Sequence, residues 1–202
     1  MATGDYTTLA RVRQQLGMAD SDTADDAYLG TLVSAASRMI DGACKRRFYD
    51  ATGTLYLDCR PPTLSGRKLY FDEDVVSVSS VTNGDGAEVT SDEYHLLPVN
   101  STPKYAIELT IASNKIWQYT TDWRGAITVV AARGYCTDAT RPGDIEEAAT
   151  RLAVWLYQNR DNTGETVQFA DGSMSIPAEA PPMVMRILEK GGYVRIAAYG
   201  GE

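Results

Sequence analysis

Histidine is the scarcest side chain able to move protons or bind a metal in this chain of 202 residues: His95 stands alone. It lies in Glu93-Tyr94-His95-Leu96-Leu97, an extended-looking stretch with no second candidate ligand close by. A Ser/His/Asp triad or an HExxH pair would therefore have to be built on this one residue, and it reads as a structural or surface histidine. Cys44, Cys59 and Cys136 are separated by 15 and 77 positions, which fits neither a CxxC metal pair nor an even-numbered disulfide framework. They read as reduced, small apolar residues, with a ligand or nucleophile role as the alternative.

Carboxylates are the more plentiful chemistry. Asp72, Glu73, Asp74, Asp85, Glu88, Asp92 and Glu93 follow one another with no Lys or Arg between them. Such a run reads as a solvated edge, as carboxylates gathered around a cation in a metal-dependent hydrolase, or as a negative surface turned toward a sliding nucleic acid. Within it, Asn83-Gly84-Asp85-Gly86 superficially resembles a calcium loop. Ala87 stands where a third oxygen ligand belongs, and Tyr94 where the closing Glu belongs, so a tight turn is expected. Lys45, Arg46 and Arg47 read as cations at a helix C-terminus, or as a phosphate or nucleic-acid contact. Tyr94, Tyr105, Trp117, Tyr119 and Trp123 offer an aromatic platform for a small ligand or carbohydrate, or else fill cores. There is no GxGxxG, GxxxxGK[ST], GxSxG or spaced Cys/His set, so the expectation is a protein without catalytic residues, cofactor or metal.

Composition sets the frame for these side chains. The formal net charge is −8, with 44% hydrophobic residues, a globular composition and a poor one for a free-standing nucleic-acid binder. The strongest apolar run, Ile127 to Ala132, is far short of the roughly 18 residues of a membrane span. Met1-Ala2-Thr3-Gly4-Asp5 has no positive region followed by an apolar one, so a soluble protein made and used inside a cell is expected.

The elements that must carry the side chains follow from periodicity. Leu9, Val12 and Leu16, with Thr7 or Thr8 before them and Gly17 after, predict a short first helix. Leu29, Val33, Ala36, Ile40 and Ala43 predict a second, started by Asp22 or Asp25. From 54 to 135 the period changes to two, with strand candidates at 55–59, 68–71, 75–81, 94–97, 107–111 and 127–132. Helical spacing returns with Ile145, Ala148/Ala149, Leu152 and Leu156, Asp144 and Glu147 forming a capping box at the start. Residues 161–180 read as an exposed arm carrying Val167, Phe169, Met174 and Ile176. Residues 183–189 read as a last short helix and 191–202 as an extended tail. The whole predicts a single α+β domain over 1–202. Its helical module, spanning 7–48 and 144–190, comprises two N-terminal helices with one long and one short C-terminal helix, and holds an inserted antiparallel β-region.

Three blocks carry a resemblance. "TLARVRQQLGMADSDTADDAYLGTLVSAASRMIDGACKRRF", "RPGDIEEAATRLAVWLYQNRDN" and "PPMVMRILEKGGYVRI" resemble, in that order, the opening, second long helix and closing pattern of tailed-phage head-tail connector (adaptor, head completion) proteins. The long β-region makes the chain more similar to the longer adaptors of prophages and gene-transfer particles. The resemblance implies a structural virion protein at the head-tail interface, made in the host cytoplasm. It implies a homo-oligomeric ring, generally dodecameric, beneath the portal protein. That ring extends the DNA channel, through which DNA passes without specific binding, and docks a stopper or tail-completion protein, with no membrane involved. On this resemblance Arg186, Tyr193, Val194, Arg195 and Ile196 match the segment that engages the portal; the other reading is that this tail folds back onto its own helices. The arm residues Val167, Phe169, Met174 and Ile176 would lie at a subunit or tail interface. The alternative function is a β-domain ligand- or carbohydrate-binding module.

Overall fold

The computed structural model describes residues 4–160 and 181–195. These form two compact units: one drawn from the residues up to Phe48 and from Thr140 onward, the other Tyr49–Ala139. Among the described residues there are four helices and a six-stranded antiparallel sheet, the α+β arrangement that the periodicity predicts.

In the helical unit, α1 (Leu9–Leu16) starts where the Thr8 hydroxyl accepts the Arg11 N–H at 3.1 Å. It stops at Gly17, whose φ of +70° only glycine adopts cheaply. Along α2 (Asp26–Cys44), Leu29, Val33, Ala36 and Ile40 are buried as the helical period requires. The last seat belongs to Cys44 rather than the half-buried Ala43. α3 (Gly143–Gln158) and α4 (Pro182–Lys190) complete this core with Ile145, Leu152, Val184 and Leu188. Ala36, Ala148, Ala149 and Ala153 are fully buried, and side chains that small let helix axes approach closely.

Both expected acidic caps are corrected. Asp25 occupies the N-cap position of α2, but its carboxylate makes no capping bond and accepts the Tyr157 hydroxyl instead. α3 begins one residue before Asp144, behind Pro142, with no side-chain cap. A proline there fixes φ near its helical value and sets the chain's entry by itself. Glu147 is thereby released from a capping box and pairs with Arg11 and Arg151.

The β-unit orders its strands β1 (Ala51–Leu57), β6 (Ile127–Arg133), β3 (Lys68–Thr82), β5 (Lys104–Leu109) and β4 (Tyr94–Leu97), with β2 (Leu64–Ser65) set on β3. β1 (Ala51–Leu57) pairs β6 (Ile127–Arg133), Leu55 opposite Val129 and Leu57 opposite Ile127. The two expected strands 68–71 and 75–81 are one continuous element, β3 (Lys68–Thr82). Its first part pairs β5 (Lys104–Leu109) and its second part pairs β6, with the register shifting between Tyr70 and Val75. Asp72 and Glu73 occupy that shift, which is why the hydrophobic alternation looks interrupted in sequence. β4 (Tyr94–Leu97) closes the other edge. Leu55, Leu69, Phe71, Val81, Ile107, Leu109 and Ile127 share one face and one apolar core with Trp117.

β5 ends at Leu109, not at Ile111, because the Arg67 guanidinium gathers the carbonyls of Leu109, Thr110 and Ser113 and bends the chain out of the ladder. Ile111 is left 95% exposed. The Asn83–Gly86 turn forms as expected, Gly86 N–H donating to the Asn83 carbonyl at 2.9 Å and Val89 returning to Val81 at 2.9 Å. It makes two isolated bridges, Thr82 to Glu88 across the turn and Gly84 to Tyr119, and does not join neighbouring strands of the sheet.

Leu69→Ala is expected to lower stability by ~2–5 kcal/mol, since the side chain is fully buried. Ile111→Ala should change it by less than about 0.5 kcal/mol. Denaturant unfolding of the two variants measures the difference.

Candidate assembly surfaces

At the heart of the helical unit lies Tyr6, 1% exposed. Its hydroxyl donates to Asp41 and accepts the Phe48 N–H at 2.8 Å, while its own N–H donates to Ser37 Oγ at 2.9 Å. The Arg38 and Arg141 guanidinium groups lie 5.4 and 4.9 Å from the ring centroid. Arg38 also pairs with Asp41 at 2.6 Å, and Arg141 donates to the carbonyls of Phe48 (2.9 Å) and Asp5 (3.0 Å). Burial pushes the Asp41 carboxyl up to about 6 even though Tyr6, Arg38, Arg47 and Arg141 pull it down. Burial, then the Asp41 charge, holds the Tyr6 phenol far above its ordinary range.

The C-terminal segment joins this cluster. Tyr193 is 7% exposed and meets Phe48 edge-on at 5.5 Å, while Phe48 meets Tyr6 edge-on at 5.8 Å. The Tyr193 hydroxyl points to Asp144 at 3.4 Å, and the Arg195 N–H donates to the Cys44 carbonyl at 2.9 Å. Residues 193–195 thus fold back onto the chain's own helices, with Val194 half-buried. Arg186 is exposed on α4. Ile196 and the arm residues Val167, Phe169, Met174 and Ile176 lie outside the described residues.

Arg13 is a second buried clamp, 9% exposed. It donates to Asp26 at 2.5 Å and to the Ala19 and Asp20 carbonyls at 2.7 and 3.1 Å, tying the end of α1 through the acidic turn to the start of α2. The period of the first helix gives no hint of this role, because an Arg on its inner face breaks the apolar pattern.

In the β-unit the stretch after β5 is irregular but pinned. Arg67 holds its start, Trp117 Nε1 donates to the Arg67 carbonyl at 2.9 Å, and Asn83 donates to the Ile116 carbonyl at 2.8 Å. Ile111 and Ile116 project from it, 95% and 62% exposed. The five aromatics do not form one platform. Tyr94 and Trp117 are buried, and Trp123 packs on the core between the Arg60 and Arg124 guanidiniums, 5.0 and 5.1 Å from its ring. Tyr105 is half-exposed and stacks on Tyr70 at 6.3 Å, and Tyr119 sits 40% exposed on the loop.

The side chains with chemical potential are dispersed. His95 is exposed on β4 opposite Glu108. All three cysteines are buried free thiols, Cys44 pushed up to about 12 by burial. Of the acidic run, Glu73 pairs Arg133 at 2.5 Å, Asp85 accepts from Ala87 N–H and Gln118, and Glu93 accepts from Thr90. Among the described residues no three His, Cys, Asp or Glu side chains are grouped to hold a metal ion, and no helix is long and apolar enough to cross a membrane.

No family model matches the chain, and no curated protein matches it in sequence. Solved structures do. A chain in the neck of an empty GTA particle computed with C6 symmetry is 20% identical with a TM-score of 0.61. A chain in the virion of the native gene transfer agent (GTA) particle is 20% identical with a TM-score of 0.63. A chain in the neck of the native GTA particle computed with C12 symmetry is 19% identical with a TM-score of 0.57. Each match covers 100% of this chain and 95% of the other.

The Tyr6 cluster carries a pH signature. Because the folded-state carboxyl of Asp41 binds its proton more tightly than in the unfolded chain, its contribution to stability falls as pH rises from about 4 to about 6. Asp41→Asn should remove that decline, so wild type minus variant should drop by ~2 kcal/mol across the window. Unfolding at a series of pH values tests it; parallel curves for the two proteins would refute the assignment. The whole-length likeness shows that this chain has the fold of those particle components.

Proposed function

We propose that the protein is a structural component of a phage-like virion neck: a head-tail adaptor that assembles as a homo-oligomeric ring under the portal protein. In this reading the ring extends the DNA channel and docks the stopper or tail-completion protein. The observation that carries it is the shared fold with chains of gene transfer agent particles, two of them neck structures, matched over the full length of this chain. A dodecamer is the ring size supported by the C12 symmetry of one of those necks.

The molecule's physical chemistry supports an assembly role over a chemical one. Its polar side chains position backbone: the buried Arg13 and Asn83 and the half-buried Arg67 each fix a turn or loop by binding its carbonyls. A loop ordered in this way pays little further conformational entropy when a partner covers Ile111 and Ile116. Ile111 and Ile116, 95% and 62% exposed, offer apolar surface for a partner to cover. Tyr193, packed on Phe48, anchors the C-terminal segment to the helical unit, and in this reading that segment engages the portal.

Removing the gene should yield DNA-filled heads without tails, and electron microscopy of intact particles should place the protein in a ring between head and tail. Normal tail-bearing particles in its absence would sink the reading. Ile111→Asp/Ile116→Asp should leave the subunit folded and reduce tail joining about tenfold or more, scored as the ratio of tailed to tailless particles.

A further inference from the structure

The two edges of the sheet are finished differently. At one, β4 runs for four residues and meets Pro98, which has no N–H to donate to a further ladder. At the other, β1 pairs β6 through seven consecutive residues, Ala51 to Leu57, with no register shift. Among the described residues no strand lies on the outer side of β1, and no backbone N–H or carbonyl of residues 51–57 is bonded outside the β6 ladder. Every second residue of a strand turns both groups to the same side, so about half of the backbone polarity of β1 faces outward. Charge, proline, a bulge or brevity are the devices that blunt such an edge. β1 has none of them.

The faces of β1 specify the strand that would fit. Leu55 and Leu57 are buried in the core of the sheet, and Thr52, Thr54 and Tyr56 alternate with them on the other face, Tyr56 70% exposed. That second face stays uncharged across β6, where Thr128, Val130 and Ala132 stand opposite. A further strand must therefore alternate apolar with uncharged polar side chains. One segment of the chain outside the described residues has that pattern. Val167 and Phe169 alternate with Thr166 and Gln168, Met174 and Ile176 with Ser173 and Ser175, and Asp171-Gly172 between them is a hairpin-turn pair. A lone two-stranded hairpin is marginal in water and gains stability from a third strand. Residues 161–180, doubled back, reach at most ~35 Å from the helical unit that holds both their ends. A unit of about 100 residues has a radius of gyration of only ~13 Å, so an arm of this length can pass beyond its own unit.

We propose that the outer edge of β1 receives residues 166–169 of a neighbouring copy as an added strand. The inference rests on the ring reading only for the presence of that neighbour. The incoming backbone bonds the outward N–H and carbonyl groups of β1, which supply affinity, and the alternating side chains set which segment is accepted. Val167 and Phe169 extend the apolar face beyond Leu55 and Leu57, and Thr166 and Gln168 lie beside Thr54 and Tyr56. Each copy gives one arm and receives one. The contact is head-to-tail, and a closed ring leaves no β1 edge open.

The test is disulfide trapping in the full-length chain. An equal mixture of Thr54→Cys chains and Gln168→Cys chains, mildly oxidised, should give a covalent pair of chains on a non-reducing gel. Directly opposed residues of neighbouring strands share a face, so Thr166→Cys or Gln168→Cys should link and Val167→Cys should link about tenfold less. Thr52→Cys, at an exposed position on the same face as Thr54, is an independent second probe. The native thiols are buried, and wild type should run as single chains. No linkage at 166 or 168 from either probe, or equal linkage at 167, would overturn the proposal. So would a bond formed within the double variant Thr54→Cys/Gln168→Cys but not in the mixture, which puts a chain's own arm on its edge, or pairing of Thr54→Cys chains with one another, which puts β1 on β1. Normal tail joining without the gene would remove the neck reading and leave a cross-link measured on the free chain standing.

Discussion

The helical unit depends on one costly act: the carboxylate of Asp41 and the phenol of Tyr6 are taken out of water together. Neither burial is favourable alone. It is sustained because the phenol spends its hydrogen on Asp41 and its oxygen on the Phe48 N–H, while Arg38 and Arg141 supply charge on either account. The participants come from four stretches of chain. Tyr6 precedes α1, Arg38 and Asp41 lie in the last turns of α2, Phe48 leaves the helical unit, and Arg141 re-enters it. The cluster thus fixes the two points where the β-region is spliced into the helical module. Tyr193 meets the same Phe48 edge-on and ties the C-terminal segment to it.

The β-unit answers the equivalent problem with single polar side chains used as pins. Arg67 and Asn83 bind carbonyls of the irregular segment between β5 and β6, whose backbone has no strand partner over most of its length. Trp117 inserts into the sheet's apolar face from that segment. Hydrogen bonding that a ladder would supply is thereby replaced by side-chain donors. The order so obtained is what leaves isoleucines in solvent, an arrangement a floppy loop would collapse and hide. In both units, buried polar chemistry builds surfaces that are fixed before a partner arrives.

The legible parts of the fold were those governed by local period. α1, α2 and α3 and strands β1, β4 and β6 lie close to where the apolar spacing puts them. The misread parts were those where two local signals competed. Asp72 and Glu73 look like a strand break but form a bulge inside β3, because the ladder partner changes from β5 to β6 at that point. Asp25 and Asp144 both have the residue type of a helix cap, and Asp25 also has the position. Tyr157 claims the first and Pro142 pre-empts the second. Of the aromatic set, sequence gives residue types without faces; the sheet register assigns Tyr94 to the core, and the loop path, with Trp117 Nε1 bonded to the Arg67 carbonyl, assigns Trp117.

By itself the sequence determined the class of the protein: α+β, acidic, with one histidine, three unpaired cysteines and no phosphate loop, its elements in the order helix, helix, strands, helix, helix. These are properties of composition and of periods two and 3.6, which a chain carries locally. Only the tertiary structure decided which polar residues became structural. Arg13 and Arg67 sit in unremarkable stretches, and their carbonyl partners are defined only once loops have closed. It also decided where the C-terminal segment runs, the Arg195 N–H donating to the Cys44 carbonyl at the end of α2. Spatial neighbours of this kind are what a folded chain adds to a sequence.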